Sequence, residues 1–237
     1  MNLTNLIRKI INPIKIDVVR YPNSDLTRRI KLFKYFGINK VLDVGANKGQ
    51  YAKLIRKIGF KGNIVSFEPL SEAYKILEKS SIKDKKWEIH NFALGDKEET
   101  SIINVSENLF SSSLLDMTSS HVESAPTSNY KSTEKISVKT LNQVFNDVVD
   151  EKEVVFLKLD VQGFEENVLK GASNILSKIK GIQIEMSLLE LYEGEMLYRD
   201  IINLLESYGF ELFSLENGFQ NKDSGRLLQV DGIFFRN

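Results

Sequence analysis

Residues 41–49 read Val41-Leu42-Asp43-Val44-Gly45-Ala46-Asn47-Lys48-Gly49, a short strand-like run that passes into a turn holding two glycines. A strand handing over to a helix through such a turn gathers free backbone amides at one point. Gly45 permits the tight turn and the close approach of a ligand to those amides. Gly49 stands where the helix begins, because Tyr51, Leu54, Ile55 and Ile58 follow at helical spacing and Gly59 closes the stripe. A dinucleotide fingerprint would read G-x-G-x-x-G, whereas here only G-x-x-x-G remains. The turn therefore reads as a nucleotide-binding loop, with a ligand-free glycine turn as the competing account.

The next strand, Ile64–Phe67, runs into Glu68 and Pro69. An acidic residue about twenty positions after a glycine loop can accept hydrogen bonds from both ribose hydroxyls. Glu68 fits that spacing, and a surface glutamate capping a helix is the plainer alternative. The helix that follows has Ser71 as its expected N-cap.

Outward from this pair the alternation continues. Strands are expected at Trp87–Phe92, Val154–Leu159, Ile182–Met186, Glu211–Leu215 and Leu227–Phe235. Helical stripes fall at Val168, Leu169, Ala172, Ile175 and Leu176, and at Leu197, Ile201, Leu204, Leu205 and Tyr208, closed by Gly209. Strand–helix alternation predicts an α/β fold: a mostly parallel, doubly wound sheet with helices on both faces. Only a turn-rich stretch from Asn217 to Gly225 separates the last two strands, so they should pair as a hairpin with the final strand antiparallel. The serine-rich segment 106–133 has few periodic apolar positions and contains Pro126. It reads as a long loop over a binding site.

Ahead of the domain, Leu3, Leu6, Ile7, Ile10, Ile11 and Ile14 form a helical stripe that Pro13 ends or bends. It reads as a helix packed on the domain, or as an interfacial helix given its basic residues. Leu26, Ile30, Phe33 and Phe36 form a second stripe before Gly37. The expected division is an N-terminal helical extension at 1–36 and one catalytic domain at 37–237.

Two strands carry charge where a buried parallel strand should be apolar. Lys158 and Asp160 alternate with leucines, as Gln183 and Glu185 alternate with isoleucines. Ligands of open α/β sheets bind beyond the carboxyl ends of the strands, where Asp160 and Glu185 fall. An ion pair from Lys158 to one carboxylate is the structural alternative.

Composition narrows the class. The chain has 32 basic and 32 acidic residues and no cysteine. A balanced charge gives no footprint of a nucleic-acid binder. Absent cysteine removes disulfides, thiolate nucleophiles and cysteine-held zinc, and suits a cytoplasmic setting. No run approaches the ~18 apolar residues of a membrane span.

Together these pieces resemble the FkbM family of S-adenosylmethionine (SAM)-dependent methyltransferases. The matching stretches are Leu42–Gly49, Ser66-Phe67-Glu68-Pro69, Ala93-Leu94-Gly95-Asp96, Ser112-Ser113-Leu114, and Lys158–Glu165 taken with Val168–Ala172. The resemblance runs from about residue 38 onward, and five pieces in the right order make coincidence improbable. It implies a class I, Rossmann-like fold of seven strands with the last antiparallel. It implies that Asp43, Gly45, Ala46, Asn47 and Gly49 line the methionine and ribose side of SAM, with Glu68 and Pro69 at the ribose and Phe92, Ala93 and Leu94 beside the adenine. Asp160 would sit near the transferable methyl. Family members commonly methylate hydroxyls of sugars or polyketides, and many accompany glycan-assembly enzymes. A related group holds magnesium through adjacent aspartates, but Val161-Gln162 follows Asp160 here, so no metal is expected.

The reading is thus an O-methyltransferase acting on a saccharide or related small-molecule acceptor, and a homo-oligomer is compatible with it. A base should take the acceptor proton. Asp160 and Glu185 are the candidates, Glu165 and the loop residue His121 the reserves, with Ser112 and Ser113 on the substrate loop. An NAD(P)-dependent oxidoreductase and a non-catalytic SAM-binding scaffold are the alternatives.

Overall fold

All five residues of β1 (Lys40–Val44) are buried, and this strand lies inside a seven-stranded sheet. A computed structural model describes residues 21–237; the helical stripe expected at 1–16 lies outside the described residues. β1 pairs in parallel with β2 (Asn63–Phe67) on one side and β7 (Val155–Leu159) on the other. β3 (Trp87–His90) extends one flank and β8 (Ile179–Ser187) the other, both parallel. The strand order is β3-β2-β1-β7-β8-β10-β9, with β10 (Gln229–Phe235) antiparallel to both β8 and β9 (Glu211–Asn217). The expected C-terminal hairpin is present, and its last strand lies between two earlier ones.

The pleat explains why both faces carry helices. Along β1, Leu42 and Val44 join one buried cluster while Val41 joins another. The first cluster receives α5 (Leu141–Val148), α6 (Glu165–Gly171) and α7 (Tyr198–Ser207) through residues such as Phe145, Leu169 and Leu205. The second receives α1 (Ser24–Tyr35), α2 (Gln50–Lys57) and α3 (Ser71–Ser81) through Phe33, Ile55 and Leu77. Burying an aromatic such as Phe33 contributes roughly 1.5–3 kcal/mol, so α1 is held firmly against Phe60 and Phe156.

Beyond shifts of a few residues at strand ends, four features differ from the sequence expectation. The third strand ends at His90, because the chain turns to place Ala93–Leu94 as β4 in a separate sheet. Leu70, not Ser71, caps α3, and the Ser71 hydroxyl instead donates to Glu134 Oε1 at 2.5 Å. α6 begins at Glu165, earlier than its apolar stripe, and gives way to a 3₁₀ turn at Leu176–Lys178. The largest correction concerns 106–133. β5 (Glu99–Ser106) enters it, α4 (Ser119–Ser124) occupies its middle and β6 (Tyr130–Lys139) leaves it. β4, β6 and β5 make a three-stranded sheet. Its polar residues face water on one side, while Ile103, Val105, Ile136 and Val138 pack with Leu70 and Ala73.

Candidate functional site

The turn after β1 is built by contacts that forbid a side chain. Gly45 has φ +73°, and a Cβ there would lie 1.9 Å from the Asp160 carbonyl oxygen, so the first turn and the end of β7 touch through bare backbone. Gly49, at φ +78°, would drive a Cβ to 2.7 Å from the Trp87 ring. Asn47 also adopts a left-handed backbone, at φ +47°. Its amide donates to Glu68 Oε2 at 2.7 Å, and its side chain donates to the Leu109 carbonyl at 3.1 Å. One residue therefore ties the turn to the acid after β2 and to the covering segment.

Glu68 is almost wholly enclosed. Its other oxygen accepts from the Leu70 amide at 2.9 Å. Burial pushes its carboxyl up to about 7, and the two backbone donors only partly oppose that shift. The acid keeps lone pairs for two further donors, as a ribose diol requires.

A cavity opens here. Gly45, Asn47, Glu68, Pro69, Ala93, Leu94, Ser112, Asp160 and Glu185 line it, together with Phe67, Ile103, Leu109, Phe110 and Leu114. The lining thus combines apolar side chains with carboxylates. The remaining expected residues stand outside its lining. Ala46 is buried behind the turn, where its amide donates to the Phe67 carbonyl. Phe92 packs on Phe67 and His90, with the Lys139 ammonium 4.7 Å from its ring centroid. The Ser113 hydroxyl donates to the Gln162 carbonyl at 2.6 Å. His121 is buried edge-on against Tyr192, and burial lowers it to about 4, leaving a neutral imidazole. Glu165 accepts from the Val161 amide at 2.8 Å, and burial raises it to about 8.

Lys158 organises the carboxylates near it. Its ammonium lies 3.3 Å from Asp43 Oδ1 and 3.3 Å from Asp160 Oδ2, and it donates to the Gly45 carbonyl at 3.2 Å. The ion pair and the site are one arrangement, so the two readings of Lys158 and Asp160 are compatible. Asp43 is completely buried below, with the Ser66 hydroxyl as a second donor. Asp160 is the member that reaches the cavity, its side chain 36% exposed. Glu185 accepts from Gln162 Nε2 at 2.8 Å and Gln229 Nε2 at 2.9 Å. Burial, with Asp160 nearby, raises its carboxyl well above the usual range.

Gln162 was not legible as a site residue. At φ +55° it turns its amide between Asp160 Oδ1 and Glu185 Oε2, and its carbonyl oxygen accepts from the Tyr192 hydroxyl at 2.6 Å. Only its place beside Asp160 hinted at this. The Thr140–Gln143 pair, which forms a capping box at α5, is a readable signal that was missed. Among the described residues, no helix is long and apolar enough to cross a membrane, and no three His, Asp or Glu side chains cluster to hold a metal.

Comparison with known proteins adds a chemistry to this geometry. Residues 43–212 match the family described as the methyltransferase FkbM domain. The 2-O-methyltransferase NoeI of Sinorhizobium fredii is 44% identical over 50 residues, a match spanning 21% of this chain and 21% of that protein. Among solved structures, TehB from Haemophilus influenzae aligns with TM-score 0.49 and 10% identity over 99% of this chain and 67% of that one. A SAM-dependent methyltransferase from Aquifex aeolicus aligns with TM-score 0.41 and 14% identity over 86% and 88%. Likeness at this level leaves the architecture to rest on the strand order itself.

Proposed function

We propose, on the premise that this chain belongs to the FkbM methyltransferase family, that it moves the methyl group of SAM to a hydroxyl of a saccharide or related small acceptor. The sheet, with its antiparallel strand inserted next to the edge, is the Rossmann-like class I methyltransferase architecture. Family membership replaces the nicotinamide-oxidoreductase alternative. NoeI carries the description 2-O-methyltransferase, which supports oxygen as the receiving atom. The observation that carries the reading is that one cavity is lined by Glu68, by the Gly45 turn and by Asp160, which abuts that turn.

The residues fit the cofactor. Glu68 would hold the ribose hydroxyls, and the apolar walls at Pro69, Leu70, Ala93 and Leu94 would enclose the adenine. SAM supplies a methyl carbon activated by a sulfonium. The protein must place an acceptor oxygen opposite the sulfur, roughly 3–3.5 Å from that carbon, and remove its proton. Burial raises Glu165 to about 8, so it is largely protonated at neutral pH, and Glu185 is raised by burial and by Asp160 and already accepts from two glutamine amides. Asp160 is half-buried, with its side chain 36% exposed, and Lys158 and Gln162 fix its orientation. It serves as the base.

The test is Asp160→Asn, which retains shape and the Gln162 neighbour. Turnover should fall about 10²–10⁴-fold while SAM affinity by calorimetry stays near wild type. Wild-type turnover in a variant that binds SAM normally removes Asp160 from this role.

A further inference from the structure

A second cleft opens beside the first, and Gln50, Asp160 and Glu185 line both. It is roofed by α1, whose Arg29 guanidinium pairs with Glu216 of β9. Four side chains on this cleft each bury a polar atom that has no hydrogen-bond partner among the described residues. They are Arg29 Nε, the Tyr51 hydroxyl, Gln183 Oε1 and Glu216 Oε1. None of these residues is more than 9% exposed. A buried polar atom left unpaired costs stability, and native proteins rarely tolerate several together. Four on one cleft point to something that enters it.

The chemistry of the four describes the visitor. Arg29 Nε donates, Gln183 Oε1 and Glu216 Oε1 accept, and the Tyr51 hydroxyl does either. A molecule with several hydroxyls carries both the donors and the acceptors that these atoms lack. Charge narrows the class further. Among the described residues, Asp25, Asp160, Glu185, Glu216 and Asp231 line this space against Arg29 and Lys158. Both bases are already engaged, Arg29 with Glu216 and Lys158 with Asp43 and Asp160. A phosphate or carboxylate entering here would meet five carboxyl groups and, among the described residues, only cations that are already paired with carboxylates. A neutral polyol, or one bearing an ammonium, would meet partners.

We infer that this cleft is the acceptor subsite, and that it admits uncharged or amine-bearing polyhydroxylated acceptors while excluding those that carry phosphate or carboxylate groups. The inference rests on the proposed function for the existence of an acceptor, and it adds where the acceptor sits and what it cannot be. Arg29, Tyr51, Gln183 and Glu216 become specificity-determining residues, and α1 becomes part of the binding site.

The experiment uses the full chain with labelled SAM and four acceptor sets: neutral, amino-sugar and uronic-acid oligosaccharides, and nucleotide-diphosphate sugars. Label should enter the first two sets. Tyr51→Phe should raise the acceptor KM about three- to tenfold, the loss of one hydrogen bond, with SAM affinity and kcat retained. Because the hydroxyl it removes is unpaired, its melting temperature should hold or rise, which separates a binding defect from a folding one. Gln183→Met, of similar volume, should show the same KM shift. Equal or better kcat/KM for the uronic-acid or nucleotide-diphosphate sets overturns the inference, as does a wild-type acceptor KM in both variants. Fragmentation of the product keeps the two claims apart. Label on nitrogen or carbon refutes O-methylation, while the KM split still reads the subsite.

Discussion

Lowering the pH from 8 to 6 should weaken SAM binding, and Glu68 is the reason. Its carboxyl lies at about 7 because it is buried, with Lys158 and Asp43 as the charged neighbours acting on it most strongly. A carboxylate that accepts from two ribose hydroxyls must be ionised to do so at full strength. At pH 8 about nine in ten molecules hold Glu68 ionised, and at pH 6 about one in ten, so the apparent dissociation constant should rise roughly tenfold as the competent fraction falls. Isothermal calorimetry in two buffers of different ionisation enthalpy reads both the affinity and the proton released on binding. Release should approach one proton near pH 6 and vanish near pH 8. Glu165 titrates at about 8, and burial also raises Glu185, so Glu68→Gln supplies the control. It should bind SAM more weakly by a charge-assisted hydrogen bond or more, about 1.5–3 kcal/mol, and with little dependence on pH. An affinity that is flat between pH 6 and 8, or a slope that survives in Glu68→Gln, would refute the reasoning.

Two further outcomes follow from the same geometry. Gly45→Ala sets a Cβ into the Asp160 carbonyl from a left-handed backbone. It should cost about 3 kcal/mol or more, seen as an earlier denaturant midpoint, and a wild-type midpoint would contradict the close approach. Glu165 has a folded-state value of about 8 against an ordinary 4.5. Its proton is therefore held more tightly in the fold, and stability falls as pH rises from about 5 to 8. Glu165→Gln can still accept from the Val161 amide, so it should flatten that decline and add about 1–4 kcal/mol at pH 8. An unchanged pH slope in chemical denaturation would rule this out.

What the sequence disclosed follows a physical divide. Strands buried on both faces, such as Val155–Leu159, announce themselves through apolar residues, and the glycines of the first turn mark backbone that no side chain can occupy. β5 and β6 stayed hidden because one face of their sheet is wet. Tyr130–Lys139 offers only Ile136 and Val138 as buried apolar residues, too few to reveal a period of two. Long-range polar pairing was equally silent. Arg29 looks like any polar residue of an amphipathic helix until β9 brings Glu216 to it from 187 positions away. Asp160 and Glu185 were readable because charge is out of place at a strand end. Gln162 was not, because its importance lies in a left-handed backbone angle that no local residue type demands.

The position of β10 bears on how the chain reaches this state. Residues 229–235 hydrogen-bond to β8 on one side and β9 on the other, yet they follow both in sequence. A ribosome delivers them last of the three, at roughly 5–20 residues per second. Until they arrive, β8 presents a bare edge and β9 has no neighbour to pair with, and such edges invite other chains to join. Ile233, Phe234 and Phe235, buried in the finished protein, are also the residues that shut this opening. A chain that ends before them holds every lining residue of the main cavity on a sheet whose inner edge is still open.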